Sequence, residues 1–395
     1  MVRYKLSRKK KICVLVNSRA NYARIKSLLI EIKKNKKLEL QLILGASSLI
    51  DRFGNIQNNI LKDGFKINNK VFSIVEGNNL ETMAKSTGLG IVELSSIFEN
   101  TKPDMVLTVA DRFETLSTAV AASYMNIPLI HTQGGEITGS IDESVRHAIT
   151  RLANIHFPAT KKSFNNLIRM GENKKNIFLT GCPSIDLAKK VKNEKKKIDL
   201  IGILNKQGGV GDHNINLKNF IVIVQHPITT EYKNTEAQIN ETLKAALKLN
   251  MSIIWLWPNI DAGNDIISKN LRKMRETNKN LPIRFFKNFE PEDFLKILIK
   301  SKCIVGNSSV AIRECSYLGV PAVNIGTRQN GREHGKNVIN SNYDSKDIFM
   351  KIKKQIARKK FKTDKIFGDG RAGIKIAKVL EKIKIQSTQK RLCYK

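Results

Sequence analysis

A chain of 395 residues, 41% of them hydrophobic, is too long for one ordinary core and apolar enough to bury two. Its 69 lysines and arginines against 35 acidic residues give a formal net charge of +34. The lysines are scattered over helix faces, linkers and both ends, with no interleaved aromatics and no nucleic-acid module, so the charge reads as a solvated surface with no specific nucleic-acid partner expected, a non-catalytic basic binding protein being the alternative.

No apolar run nears the roughly 20 residues of a membrane span. In the first run, "KICVLV", the apolar part is about five residues, short of the roughly 7–15 of a signal-peptide core, so it reads as a buried strand. "NYARIKSLLIEIKKN" follows with apolar positions at helical spacing, and then "LELQLIL" as a second strand. "DMVLTV", a helix from about Phe113 to Tyr124, "IPLIHT", a helix from about Asp142 to Ala153, "IHFPAT" and "NIFLTG" continue the alternation. This is the rhythm of a parallel sheet with crossover helices. Residues 189–219 are Lys-rich and then Gly- and Asn-rich, as in a polar linker. The alternation resumes with "FIVIVQHP", a helix near 235–249, "SIIWLWPNID", another helix, "IRFFKNF", "DFLKILIKS", "CIVGNSS", a helix near 309–318 and "VPAVNIG". One more helix and a basic frayed end close the chain.

The expected architecture is therefore α/β. It has one Rossmann-like domain over 1–188, a linker over 189–219, a second over 220–365, and a helix with a basic tail over 366–395. Cys13, Cys182, Cys303, Cys315 and Cys393 are odd in number and contain no CxxC spacing. They read as reduced thiols of a cytoplasmic protein, not as disulfides or zinc ligands.

In open parallel sheets, ligands bind beyond the carboxyl ends of the strands, and the polar groups of this sequence gather there. In "GNSSVAIRE", Ser308 and Ser309 stand where they can hold a phosphate at a helix start, with Glu314 further on for a ribose diol; equally, they can simply cap a helix. Arg19, Arg328 and Arg332 at strand exits can clamp phosphate oxygens, or be paired loop residues. Asp111 and Asp142 each follow a strand and precede a helix, so each is either a proton-transfer group or part of an N-cap. For Asp111, Glu114 would complete a capping box. His226, before Pro227, is the histidine best placed to touch a substrate, whereas His156 reads as a core residue. The histidines lack metal-ligand spacing, and neither a dinucleotide fingerprint nor a P-loop is present.

Taken together, "HTQGGEITGSIDESVRHAITRLANIHF", "DRFE", "QHPITTEY", "PNIDAG", "GNSSVAIRE" and "GTRQNGR" resemble the hydrolysing UDP-N-acetylglucosamine 2-epimerases of sialic-acid-type nonulosonate synthesis, from about Lys11 to Arg332. The resemblance implies a glycosyltransferase-B-like fold, two Rossmann-like domains whose parallel sheets face a central cleft. It implies UDP contacts from Arg19, Arg112, His226, Asn259, Phe289, Ser308, Ser309, Glu314 and Arg328, and it places Asp111 and Asp142 at the reacting carbon. It also implies a homo-oligomer, a nucleotide-sugar substrate and no metal or redox cofactor. Gln133 stands where several family members carry a catalytic Glu and cannot transfer a proton, so Glu136 is the candidate to take over part of that duty. Asn21, Ala23 and Ala110 replace a usual Asp, Ser and Gly.

Overall fold

A computed structural model of the chain describes residues 8–211, 214–278, 282–384 and 388–393. The basic start (1–7), Asp212 and His213 of the expected linker, and part of the basic end lie outside the described residues. The first half contains β1 (Lys10–Val16), α1 (Arg19–Lys34), β2 (Leu38–Gly45), α2 (Gln57–Lys62), β3 (Asn69–Val71), α3 (Leu80–Thr101) and β4 (Met105–Val109). It continues with α4 (Phe113–Tyr124), β5 (Leu129–Thr132), α5 (Ile141–Leu152), β6 (Ile155–Phe157), α6 (Lys161–Arg169), α7 (Pro183–Lys192) and α8 (Leu200–Gln207). The second half runs through β7 (Phe220–Val224), α9 (Thr235–Leu247), β8 (Ser252–Leu256), α10 (Asn264–Thr277), β9 (Ile283–Phe286) and α11 (Pro291–Lys300). It ends with β10 (Ile304–Gly306), α12 (Glu314–Leu318), β11 (Ala322–Ile325), β12 (Val338–Ser341), α13 (Ser345–Ile356) and α14 (Ala372–Lys382).

The strands form two parallel six-stranded sheets, ordered β3-β2-β1-β4-β5-β6 and β12-β11-β10-β7-β8-β9. Sheets covered on both faces need apolar residues on both, and the strands have them. Ile12, Val14 and Val16 pack on one side of the first sheet with Tyr22, Ile25 and Leu29 of α1. Cys13 and Leu15, pointing the other way by the two-residue period, pack with Leu94, Phe98 and Ala119 from α3 and α4. Each such side chain contributes roughly 1.5–3 kcal/mol when fully buried. All five residues of β7 are likewise buried. Ser18 starts α1 by accepting from the Asn21 N–H at 3.2 Å, and Lys33 and Lys34 lie in its last turn, where cations suit the helix dipole.

Several segments differ from the expectations drawn from sequence. "NIFLTG" forms no strand: Ile177 makes only an isolated bridge to His156. The stretch expected as a polar linker contains the end of α7 and all of α8, whose Leu200 and Leu204 are buried in the core of the second half. The helix expected near 309–318 is broken into a short 3-10 turn, Ser309–Ala311, and α12 beginning at Glu314.

The C-terminal region returns to the first sheet's domain. The carboxylate of Asp186 on α7 accepts from the N–H groups of Ala372 and Gly373 at 2.9 and 2.8 Å, capping α14 from a distant part of the chain. Lys10 Nζ donates to the carbonyls of Leu380 and Ile383, both at 2.7 Å. Further on, Lys390 Nζ meets Glu172 at 2.6 Å and the Thr150 and Arg151 carbonyls at 2.7 and 3.0 Å, so this part of the basic end is docked.

Candidate active site

Both sheets change winding direction between two central strands, β1 and β4 in the first and β7 and β10 in the second. Crevices open beyond strand ends at such switch points. The residues leaving them are Asn17–Arg19 and Ala110–Arg112 on one side, Gln225–His226 and Asn307–Ser309 on the other. They face one another across a cavity partly open to solvent. Ten of the fourteen site residues expected from sequence line it: Asp111, Arg19, Arg112, His226, Asn259, Phe289, Ser308, Ser309, Glu314 and Arg328. Asp142 lines an adjoining cavity that shares Arg112 and Arg328 with the first. Glu136 and Gln133 are buried beside them and are not among the lining residues of the large cavity.

The two aspartates are not helix caps. Arg112 occupies the N-cap of α4 and pairs with Glu114 at 2.8 Å, so no capping box forms there; Ser140 caps α5. Asp111 instead pairs with the fully buried guanidinium of Arg146 on α5. Burial alone would raise the Asp111 carboxyl, but Arg146, Arg24 and Arg332 hold it well below the ordinary carboxylate range. Asp142 moves the other way. Burial and the charge of Asp111 raise it, and Arg328, 3.3 Å away, opposes them. Two neighbouring carboxyls driven apart in acidity are the arrangement that acid–base chemistry uses.

The loop after β5 supports this pair. His131 is fully buried, and its Nε2 donates to the Ala110 carbonyl at 2.9 Å while its Nδ1 accepts from the Thr150 hydroxyl at 3.1 Å. Burial holds this imidazole near pKa 3 and hence neutral. Ala110 and Gln133 both take left-handed backbone conformations, φ 65° and 64°, which cost non-glycine residues energy and turn the chain sharply at the two strand exits. The Gln133 amide has no hydrogen-bond partner among the described residues.

In the second domain, Asn307 ties two strand exits together: its Oδ1 accepts from the His226 N–H and its Nδ2 donates to the His226 carbonyl, both at 2.8 Å. A side chain at Gly306, φ 124°, would place Cβ 2.1 Å from the Val224 carbonyl oxygen, so only glycine fits there. His226 Nδ1 accepts from the Asn259 N–H at 3.2 Å. Burial, then Arg328, Arg19 and Arg112, keep that imidazole neutral, with its proton on Nε2. Ser309 receives a hydrogen bond from Arg24. The turn and α12 are too short to act as a phosphate-binding helix N-terminus, so any phosphate contact from Ser308 and Ser309 comes from their own groups. Phe289 is buried against Phe286 and parallel to Phe294, with ring centroids 4.8 and 6.3 Å away.

Arginines bridge the domains. Arg112 pairs with Asp261 at 2.8 Å and Arg328 with Asp142 at 3.3 Å. Arg19 donates to the Trp257 carbonyl at 3.1 Å and to that of Lys287. Gly139 lies so close to the other domain that a Cβ would sit 1.9 Å from the Thr327 carbonyl oxygen. Among the described residues, Arg19 and Arg24 form no ion pair, which leaves positive charge available for an anion in the cleft.

The sequence profile of a family described as UDP-N-acetylglucosamine 2-epimerase matches residues 30–381. The chain belongs to that family. It is 30% identical to "UDP-N,N'-diacetylbacillosamine 2-epimerase (hydrolyzing)" of Legionella pneumophila, over 96% of this chain and 97% of the relative. It is 33% identical to "GDP/UDP-N,N'-diacetylbacillosamine 2-epimerase (hydrolyzing)" of Campylobacter jejuni, over 86% of each. Its fold is similar to the crystal structure of UDP-GlcNAc 2-epimerase from Neisseria meningitidis bound to UDP-GlcNAc. There the TM-score is 0.75 at 19% identity, covering 94% of this chain and 100% of that one. The glycosyltransferase-B-like arrangement is thereby shown.

In this 2-epimerase family member, sequence reasoning missed Arg24, Arg146, Asp261, Asn307 and Arg313. Arg146 and Arg313 lie in or beside amphipathic helices, where an arginine reads as solvent-facing; both are fully buried because carboxylates from elsewhere in the chain meet them. Arg332, read as a phosphate clamp, is 3.2 Å from Glu136. Arg313, Arg332 and Arg146 lower the Glu136 carboxyl against the effect of burial, so the residue expected to share proton transfer is held as an anion. His156 is buried and pairs with Glu172 at 3.0 Å, a core role.

Proposed function

We propose that the protein is a hydrolysing 2-epimerase of a UDP-linked 2-acetamido hexose. The observation that carries this reading is the pair Asp111 and Asp142, opposed in acidity, in two adjoining cavities that share Arg112 and Arg328, with Arg19 and Arg24 in the wall of the first. In this reading Phe289 packs beside the uracil, Glu314 accepts from the ribose diol, and Arg19, Arg24, Arg112, Arg328, Ser308, Ser309 and the His226 Nε2–H hold the diphosphate. Asn259 fixes the His226 tautomer.

Asp142 is the better proton acceptor of the two, because its raised pKa lies nearer working pH than that of the Arg146-paired Asp111. The proton at C2 passes to Asp142, the C1–O bond breaks, and its electron pair leaves on UDP, stabilised by the arginines. The product of this step is a 2-acetamidoglucal. Water then adds across the double bond, hydroxyl to C1 and a proton to the opposite face of C2, and the epimeric sugar departs free. Diphosphate binding draws Arg328 from Asp142, which raises Asp142 further and makes it a stronger base. Glu136 acts in holding the domains together, and Gln133 shapes the turn after β5.

Proton NMR in deuterated water, with UDP-N-acetylglucosamine and its 4-acetamido-4,6-dideoxy counterpart as donors, tests the reading. The expected result is free UDP with a C2-inverted sugar deuterated at C2. A UDP-linked epimer without free sugar would reassign the protein to the non-hydrolysing class, and no exchange with either donor would overturn the reading. The same family membership supports a homo-oligomer acting in the cytoplasm, which light scattering and cell fractionation test.

A further inference from the structure

Asp261 stands in the turn after β8, in the wall of the adjoining cavity and beside the two arginines that both cavities share. Its turn is pinned from both domains. The Asn264 amide donates to the Asp261 carbonyl at 3.0 Å and to Asn78 Oδ1, ahead of α3, at 3.2 Å. The Gly263 N–H donates to the Asn78 carbonyl at 3.1 Å, and Asn259 Nδ2 donates to the Asp261 carboxylate at 2.6 Å. The carboxylate is therefore held in one place before any ligand arrives.

Arg112 lies between Glu114 and Asp261, each 2.8 Å away, and Arg328 between Asp142 at 3.3 Å and Asp261 at 3.8 Å. The Arg112 Nη2 that meets Asp261 makes no aligned hydrogen bond among the described residues, although Arg112 is only 9% exposed. At 3.8 Å Arg328 too meets Asp261 through charge and not through a hydrogen bond. Asp261 thus fixes both guanidiniums without taking up their N–H groups. A carboxylate so placed repels a diphosphate, so ground-state binding does not account for it.

We infer that Asp261 is a positioning residue for the epimerase reaction: its carboxylate sets Arg112 and Arg328 at the departing diphosphate and keeps Arg328 from fully neutralising Asp142. The role rests on the epimerase reading above and deepens it. Asp142 is faced by Asp111 after β4, Arg112 at the start of α4, Arg146 on its own helix, Arg328 after β11 and Asp261 after β8. Burial and Asp111 do most to raise the Asp142 carboxyl, Asp261 adds to them, and Arg328 opposes. A neutral side chain at 261 removes one raising charge and leaves Arg328 to Asp142, and both changes make Asp142 a weaker base. Misaligned arginines slow C1–O cleavage in addition, while UDP binding keeps its contacts and loses a repulsion.

Steady-state kinetics across the acidic limb, with whichever of the two donors named above the wild type turns over, and calorimetry with UDP provide the test. Asp261→Asn keeps the shape of the side chain and its acceptor for Asn259. It is expected to lower kcat by about 10²-fold, with KM and UDP affinity within about threefold of wild type. Its acidic limb is expected to move to lower pH. Asp261→Glu keeps the charge and displaces it by one methylene, so kcat should fall while the limb stays. A raised KM or weakened UDP binding with kcat and limb unchanged would make Asp261 an ordinary interdomain ion pair. That result, or a limb that moves alike in both variants, overturns the role while leaving the epimerase reading in place. If the wild type turns over neither donor, the epimerase reading falls and the role of Asp261 falls with it.

Discussion

Glu136, on the loop after β5, and Arg313, at the start of α12, form an ion pair that joins the two domains with side chains only 4% and 1% exposed. Arg332 lies 3.2 Å from the same carboxylate. Removing that charge leaves two buried guanidiniums without it, a loss on the order of 3–5 kcal/mol. Glu136→Gln should lower urea stability by about that amount and raise KM more than it lowers kcat, since the cleft closes less firmly. Combining Glu136→Leu with Arg313→Met should recover only part of the stability, because the desolvation of that pair disappears while Arg332 still loses its nearest carboxylate.

Asp142→Asn should reduce turnover by about 10²–10⁴-fold. UDP affinity measured by calorimetry should hold or improve, because Arg328 no longer has to leave a carboxylate to meet phosphate. Loss of UDP binding alongside turnover would argue for a structural role instead.

Asp111→Asn removes the like charge that helps to raise Asp142. Asp142 must be ionised to accept a proton, so its pKa sets the acidic limb of the rate profile. In the variant that limb should move to lower pH, with residual activity measured from pH 4 to 8. An unmoved limb would mean that another group controls it.

Acid should destabilise the fold through its buried histidines. Burial depresses His131 from 6.5 to about 3, and His226 and His156 in the same direction. The folded state binds these rings neutral while the unfolded chain protonates them near 6.5. Stability from His131 is therefore fully present above about 6.5 and falls progressively as pH drops toward 3. Urea midpoints across that range should fall, and His131→Asn should flatten part of the slope.

Ala110 takes a left-handed conformation at φ 65°, where glycine has no penalty. Ala110→Gly should stabilise the protein by roughly 1 kcal/mol, the relieved strain exceeding the added freedom of the unfolded chain. The measurement is an equilibrium urea titration; lower stability would show that the Cβ packs usefully.

Strands such as "KICVLV" and "FIVIV" were legible because burial on both faces demands continuous apolar runs. Their exits were legible because polar groups collect where parallel sheets open. The longest helix, Leu80–Thr101, was harder to read: Gly88 and Gly90 interrupt it, and much of its surface is solvent-exposed. β3 and β12, at three and four residues, give too little period to read. The expected UDP-facing residues share one cavity, but their ion-pair partners were invisible. Arg146 and Asp111 are 35 positions apart, and Arg313 and Glu136 are 177 apart. Such pairings follow from tertiary approach and leave no local spacing in the sequence.

Lys10 is held by carbonyls about 370 positions along the chain, and α14 is capped by Asp186. The first domain is thus completed by residues synthesised after the whole of the second. A nascent chain emerging from the ribosome can form the β1–β6 sheet early, but one face of α1 waits uncovered until Ala372–Lys382 appears. During that interval the exposed apolar stripe is open to chaperones and to self-association. Translation speed through the second half thereby becomes a determinant of yield, and a stalled or truncated product would accumulate with its oldest part unfinished.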